Sequence, residues 1–87
     1  MKKLVSVTEV QGEGLEALLG EKVTLFCARY IYAGKLIGVN ASFVLLEDAE
    51  IVYETGALNS KTWSVAEKLP GKWYVQTQTI ESFGELK

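Results

Sequence analysis

Cys27 is the only thiol in the 87 residues, and the chain has no histidine. Nucleophilic catalysis needs an activated nucleophile with a base beside it. The commonest base is histidine, the one side chain that ordinarily titrates near neutral pH. Cys27 sits in the apolar run Leu25-Phe26-Cys27-Ala28, where a small buried hydrophobe is the simpler reading. No basic neighbour stands ready to stabilise a thiolate. Glu47, Asp48 and Glu50 lie close together and could attract a cation. One short acidic run without a second set of ligands does not make a metal site, so these carboxylates read as solvated charge. Glycine-rich phosphate-binding patterns are absent, which leaves phosphoryl transfer without support. The expectation is a non-enzyme without a cofactor or metal.

The aromatic residues carry a different chemistry. Tyr30, Tyr32, Trp63, Trp73 and Tyr74 could stack on bases, but packing in a core or interface is the favoured reading for each. Arg29 is the only arginine, and the net charge of −2 gives the chain as a whole no attraction for a polyanion. A hydrophobic share of 48 % with a single proline is that of a folded globular chain, which excludes disordered and collagen-like classes. The length suits one domain over 1–87. No apolar run approaches the roughly 20 residues of a membrane span, and the Met1-Lys2-Lys3 opening lacks an apolar signal region. A cytoplasmic protein without a membrane partner is expected.

The elements that must position these residues are mostly strands. Residues 3–10 alternate as a strand or arm, before glycines at 12 and 14. Leu15, Leu18 and Leu19 share one face of a short helix over 15–20, ending at Gly20. Strands follow over 22–30, 31–39 and 42–54, the first apolar on both faces. Gly34 and Gly38 mark bends in the second, and Glu47-Asp48-Ala49 marks a bulge in the third. In the irregular stretch 57–72, Ser64 and Glu67 have capping-box spacing, which suggests a helical turn before Pro70-Gly71, with Trp63 as an anchor. Strands over 73–77 and 79–83 finish the chain. The sum is mainly β: a short N-terminal helix, then a strongly bent, five-stranded, SH3-like, partly open barrel. The Trp73-Tyr74-Val75 segment forms an apolar margin with no proline or inward lysine, so it calls for a partner strand. A small chain also gains missing burial by oligomerising.

This order resembles the Sm-like proteins of the LSm and Hfq type, in a compact bacterial or phage-like form. The likeness covers roughly residues 14–84 and rests on four local patterns. LEALLGEKVTLF looks like the helix that opens the domain, followed by its first strand. GKLIGVNASFVLLEDAE is similar to the first Sm motif, and VQTQTIESF to the second, with aliphatic or aromatic residues at Val75, Ile80 and Phe83. The irregular stretch 57–72 falls at the family's variable connection, and residues 1–13 form an arm before the domain.

The resemblance implies a closed homo-oligomeric ring of about five to seven subunits, in which the last strand of one copy pairs with the fourth strand of the next. Trp73, Tyr74, Val75, Ile80 and Phe83 would then lie at the interface. It also implies single-stranded, uridine-rich RNA as a partner, bound at two loops around the pore. Here these are Asn40-Ala41-Ser42 and Gln76-Thr77-Gln78, with Asn40, Ser42, Gln76 and Thr77 as the RNA-binding set. Two departures stand out. Ser42 occupies a position where many relatives place a stacking side chain, and Gln76-Thr77 stands where they carry Arg-Gly, which removes a planar cation. With the acidic balance, these favour the alternative: a structural or protein-interaction ring whose RNA site has degenerated.

Overall fold

The computed structural model describes residues 14–87. The strand or arm expected over 3–10 lies outside them. The fold is mainly β, a single antiparallel six-stranded sheet. Its strands are β1 (Lys22–Cys27), β2 (Ile31–Val39), β3 (Phe43–Glu54), β4 (Val65–Lys68), β5 (Trp73–Gln76) and β6 (Ile80–Gly84). The order across the sheet is β4-β3-β2-β1-β6, and β5 also pairs with β3. The twelve residues of β3 serve two partners: Phe43–Leu46 face β5, and Glu50–Glu54 face β4. Strands β5 and β6 are consecutive and joined by a three-residue 3-10 turn, Thr77–Thr79, yet they lie on β3 and β1 respectively. The sheet must therefore curl, and the curl encloses the core.

That core is Val23, Leu25, Leu36, Val44, Leu46, Ala49 and Val75, with Leu15, Leu18, Trp73 and Ile80 packed around it. Strand β1 is buried over Val23–Leu25, but its second face is buried at the polar Thr24, while Phe26 is half-buried and Ala28 and Tyr30 are exposed. The bend in β2 has a close-packing cause. A Cβ on Gly34 would stand 3.0 Å from the Ala49 Cα and 3.1 Å from the Glu47 carbonyl oxygen, and the β2–β3 register shifts at that point. The matching bend in β3 is at Asp48, whose φ of 52° is in the left-handed region, which aspartate tolerates better than most residues.

Three expectations are corrected. The helix over 15–20 is a five-residue 3-10 turn, Gly14–Leu18. A segment this short cannot repay helix nucleation. It is instead tied down at its end, where the Gly20 N–H donates to the Leu36 carbonyl at 2.7 Å. The helical turn near 64–67 is strand β4, which makes six strands instead of five. Glu67, needed to close a capping box, accepts instead from the Tyr53 hydroxyl at 3.2 Å, while Glu50 and Lys68 face each other across the ladder. The first strand stops at Cys27 instead of residue 30, because the Cys27 N–H donates to the Tyr30 carbonyl and closes a hairpin turn.

Candidate nucleic-acid interface

The four residues picked out by the second and last loops are brought together. Asn40 opens the β2–β3 connection, and its Oδ1 accepts from the N–H groups of Ser42 and Phe43, both at 2.8 Å. This is the local side-chain-to-backbone pattern for which asparagine is favoured in turns. Its carbonyl oxygen is therefore spent on bracing the loop, and its amide nitrogen remains for recognition. Thr77 begins the 3-10 turn between β5 and β6. Its hydroxyl donates to the Ala41 carbonyl at 2.7 Å, and its N–H donates to the Ser42 carbonyl at 2.9 Å. Two loops far apart in sequence are thus fixed against each other by Thr77, which acts as a clamp. Thr79 secures the same turn by donating to the Gln76 carbonyl at 2.8 Å.

Beside this clamp lies a shallow, open depression of about 180 Å³, lined by Ser42, Phe43, Gln76 and Gln78. Register explains its walls. Phe43 stands opposite Gln76, and Leu45 opposite Tyr74. Alternation sends Val44, Leu46 and Val75 into the core and leaves Phe43, Tyr74 and Gln76 outside. Phe43 and Tyr74 are 42 % and 66 % exposed, and their rings meet edge to face at 6.0 Å between centroids. An exposed aromatic pair next to two glutamine amides offers what single-strand recognition uses: flat faces for stacking and donor–acceptor groups for base edges. Among the described residues, no lysine or arginine lines the depression.

Phe43 is the member that the loop reading missed; Gln78 belonged to the second loop but was left out of the RNA-binding set. The signal for Phe43 was the strand phase: once Val44 and Leu46 point inward, Phe43 must point out. Ser42 is exposed at the rim, so the flat side chain missing from its position is supplied one residue later.

The residues assigned to an interface divide by direction. Val75 is a core residue, and Trp73 and Ile80 pack against the core, so these three present mainly backbone at the strand margins. Tyr74 and Phe83 are exposed. Among the described residues, β5 pairs only with β3 and β6 only with β1, so each keeps one margin open.

The remaining chemistry-bearing residues lie elsewhere. Cys27, Arg29, Tyr30, Tyr32 and Thr79 line a second cavity at the β1–β2 hairpin. Burial chiefly pushes the Cys27 thiol up, the nearby Thr79 hydroxyl offsets part of this, and Glu81 adds to the rise. Burial also pushes up the Tyr32 hydroxyl. Tyr30 and Tyr32 pair edge to face at 6.4 Å. Among the described residues, no three histidine, cysteine or acidic side chains are grouped to hold a metal. No helix among them is long and apolar enough to cross a membrane.

Comparison with protein-family models, with curated proteins and with solved structures found no match.

Proposed function

We propose that this chain is an Sm-like, non-catalytic module that assembles into a homo-oligomeric ring and binds single-stranded, uridine-rich RNA at the Asn40–Phe43 and Gln76–Gln78 junction. The observation that carries the reading is the Thr77 clamp, which holds two loops together beside exposed Phe43, Tyr74 and Gln76. Ring assembly is supported by the open margins of β5 and β6, which another copy can extend by strand addition. Repeating a weak site around a ring raises its avidity without new contacts.

The lack of a cation in the depression among the described residues favours a second reading, a structural or protein-interaction ring. Native mass spectrometry with fluorescence anisotropy of a labelled oligouridine separates the two. The RNA reading expects a closed oligomer that binds at low salt. It also expects a shallow salt dependence, because few phosphates are neutralised. A closed oligomer with no binding at low salt leaves the structural ring. A protein that stays monomeric at high concentration defeats both.

A further inference from the structure

The connection between β3 and β4 contains a cation cage that the RNA reading does not use. Lys87, three residues beyond β6, places its Nζ 3.0 Å from the Thr55 carbonyl oxygen, 2.8 Å from that of Ala57 and 2.9 Å from that of Thr62. The same nitrogen lies 4.5 Å from the centre of the Trp63 ring. An ammonium carries three N–H donors and no acceptor. Here each acceptor is a separate backbone carbonyl, and the fourth side is an aromatic face that attracts a cation. The indole Nε1 is buried with no hydrogen-bond partner among the described residues. Packing and the ammonium therefore hold this ring, with no contribution from its own N–H.

We propose that residues 55–63 form a binding site for an unmodified primary ammonium, and that Lys87 is its resident ligand. The selectivity follows from the donor count. Aromatic cages for quaternary ammonium offer ring faces, whereas this site offers three carbonyls, one for each N–H. Every methyl group added to the nitrogen removes a donor and sets carbon against a carbonyl oxygen. Acetylation removes the charge as well. A guanidinium, with its donors fixed in a planar fork, cannot aim three hydrogens from one nitrogen. Occupancy also has a structural effect. Strands β4 and β6 are at opposite ends of the sheet order, and Lys87 ties the segment after β6 to the connection that leads into β4. The filled cage therefore fastens the curl of the sheet.

Two measurements test this. In the unaltered protein labelled with nitrogen-15 lysine, the Lys87 ammonium should give a slowly exchanging resonance correlated with the Trp63 ring protons. Lys87→Met empties the cage while keeping the aliphatic chain. Its Trp63 emission should shift to the red and its Tm should fall. Millimolar n-butylammonium should reverse both changes, and tetramethylammonium at equal ionic strength should not. Trp63→Phe added to Lys87→Met should abolish the butylammonium fluorescence response. The proposal is overturned by a freely exchanging Lys87 ammonium, by emission and Tm unchanged in Lys87→Met, or by equal responses to the two cations.

Discussion

The Thr77 hydroxyl donates to the Ala41 carbonyl at 2.7 Å, joining two loops separated by 36 positions in the chain. The Thr77 N–H to Ser42 bond lies beside it, so one residue fixes both the spacing and the tilt of the candidate site. Thr77→Val keeps the shape and removes the hydroxyl. The bond is exposed and competes with water, so the expected stability loss is only about 0.5–1 kcal/mol. Oligouridine affinity should fall more steeply than stability, because the loops lose their mutual alignment. Thr77→Ser should restore both. Urea denaturation and anisotropy on the same three proteins check the split.

Thr24 carries the opposite situation. It is fully buried in β1, and its Oγ1 has no hydrogen-bond partner among the described residues. A buried hydroxyl without a partner carries its desolvation penalty uncompensated. Thr24→Val, which replaces the hydroxyl with a methyl group of similar size, should therefore stabilise the fold by about 1 kcal/mol, read as a higher urea midpoint at unchanged slope. A lower midpoint would show that the hydroxyl has a partner.

Gly34 and Gly38 both lie in β2, but they should respond differently to alanine. At Gly34 the added methyl meets the backbone of Ala49 and Glu47, which cannot yield without moving β3. The expected cost is about 1–3 kcal/mol. At Gly38 the nearest atom is the Leu45 Cβ at 3.4 Å, an ordinary contact, so Gly38→Ala should fall within about 0.5 kcal/mol of the parent. Equal losses at the two positions would remove close approach as the cause of the bend.

These two glycines also show what the sequence made legible. Glycine inside an apolar strand pattern marks a bend whatever the fold, and the acidic break at residues 47–49 marked the matching bend in β3, now seen at Asp48. Strand β2 likewise runs over the expected residues, Ile31–Val39, between the Tyr30 turn and the Asn40 connection. Strand β4 was not legible. Its four residues are all exposed, so no alternation marks them, and only pairing with β3 decides their conformation. The local Ser64–Glu67 signal was overridden by that pairing. At the site, the resemblance to the Sm motifs picked out Asn40 and Thr77, whose loops lie against each other. Phe43 needed the phase of β3, which follows from tertiary packing.

The raised Cys27 thiol predicts a dependence on alkaline pH. The folded protein holds this proton more tightly than the unfolded chain, chiefly through burial. As pH rises through the ordinary thiol range, the unfolded chain releases its proton first, so stability falls with increasing pH. The contribution is fully present below that range and is lost on passing through the raised folded value. Cys27→Ala should remove this part of the slope. Urea midpoints of both proteins from about pH 7 to about pH 10 should diverge, the parent losing more. Parallel curves would show that Cys27 titrates alike in both states.

Phe43 and Tyr74 give the sharpest test of what the site does. Their edge-to-face pair is exposed on the outer face of β3 and β5, and neither ring belongs to the core. Removing one should cost little structure. If bases stack there, each ring contributes about 1–3 kcal/mol of binding, so Phe43→Ala or Tyr74→Ala should weaken oligouridine binding roughly 5- to 150-fold. Tyr74→Phe keeps the π-face and should bind within about twofold of the parent. Because stacking is insensitive to salt while phosphate contacts are not, the loss should persist at moderate salt. Native mass spectra of the same variants separate stacking from assembly: a variant that still forms the oligomer but loses RNA places the rings at the ligand. One that loses the oligomer places Tyr74 at the seam between copies.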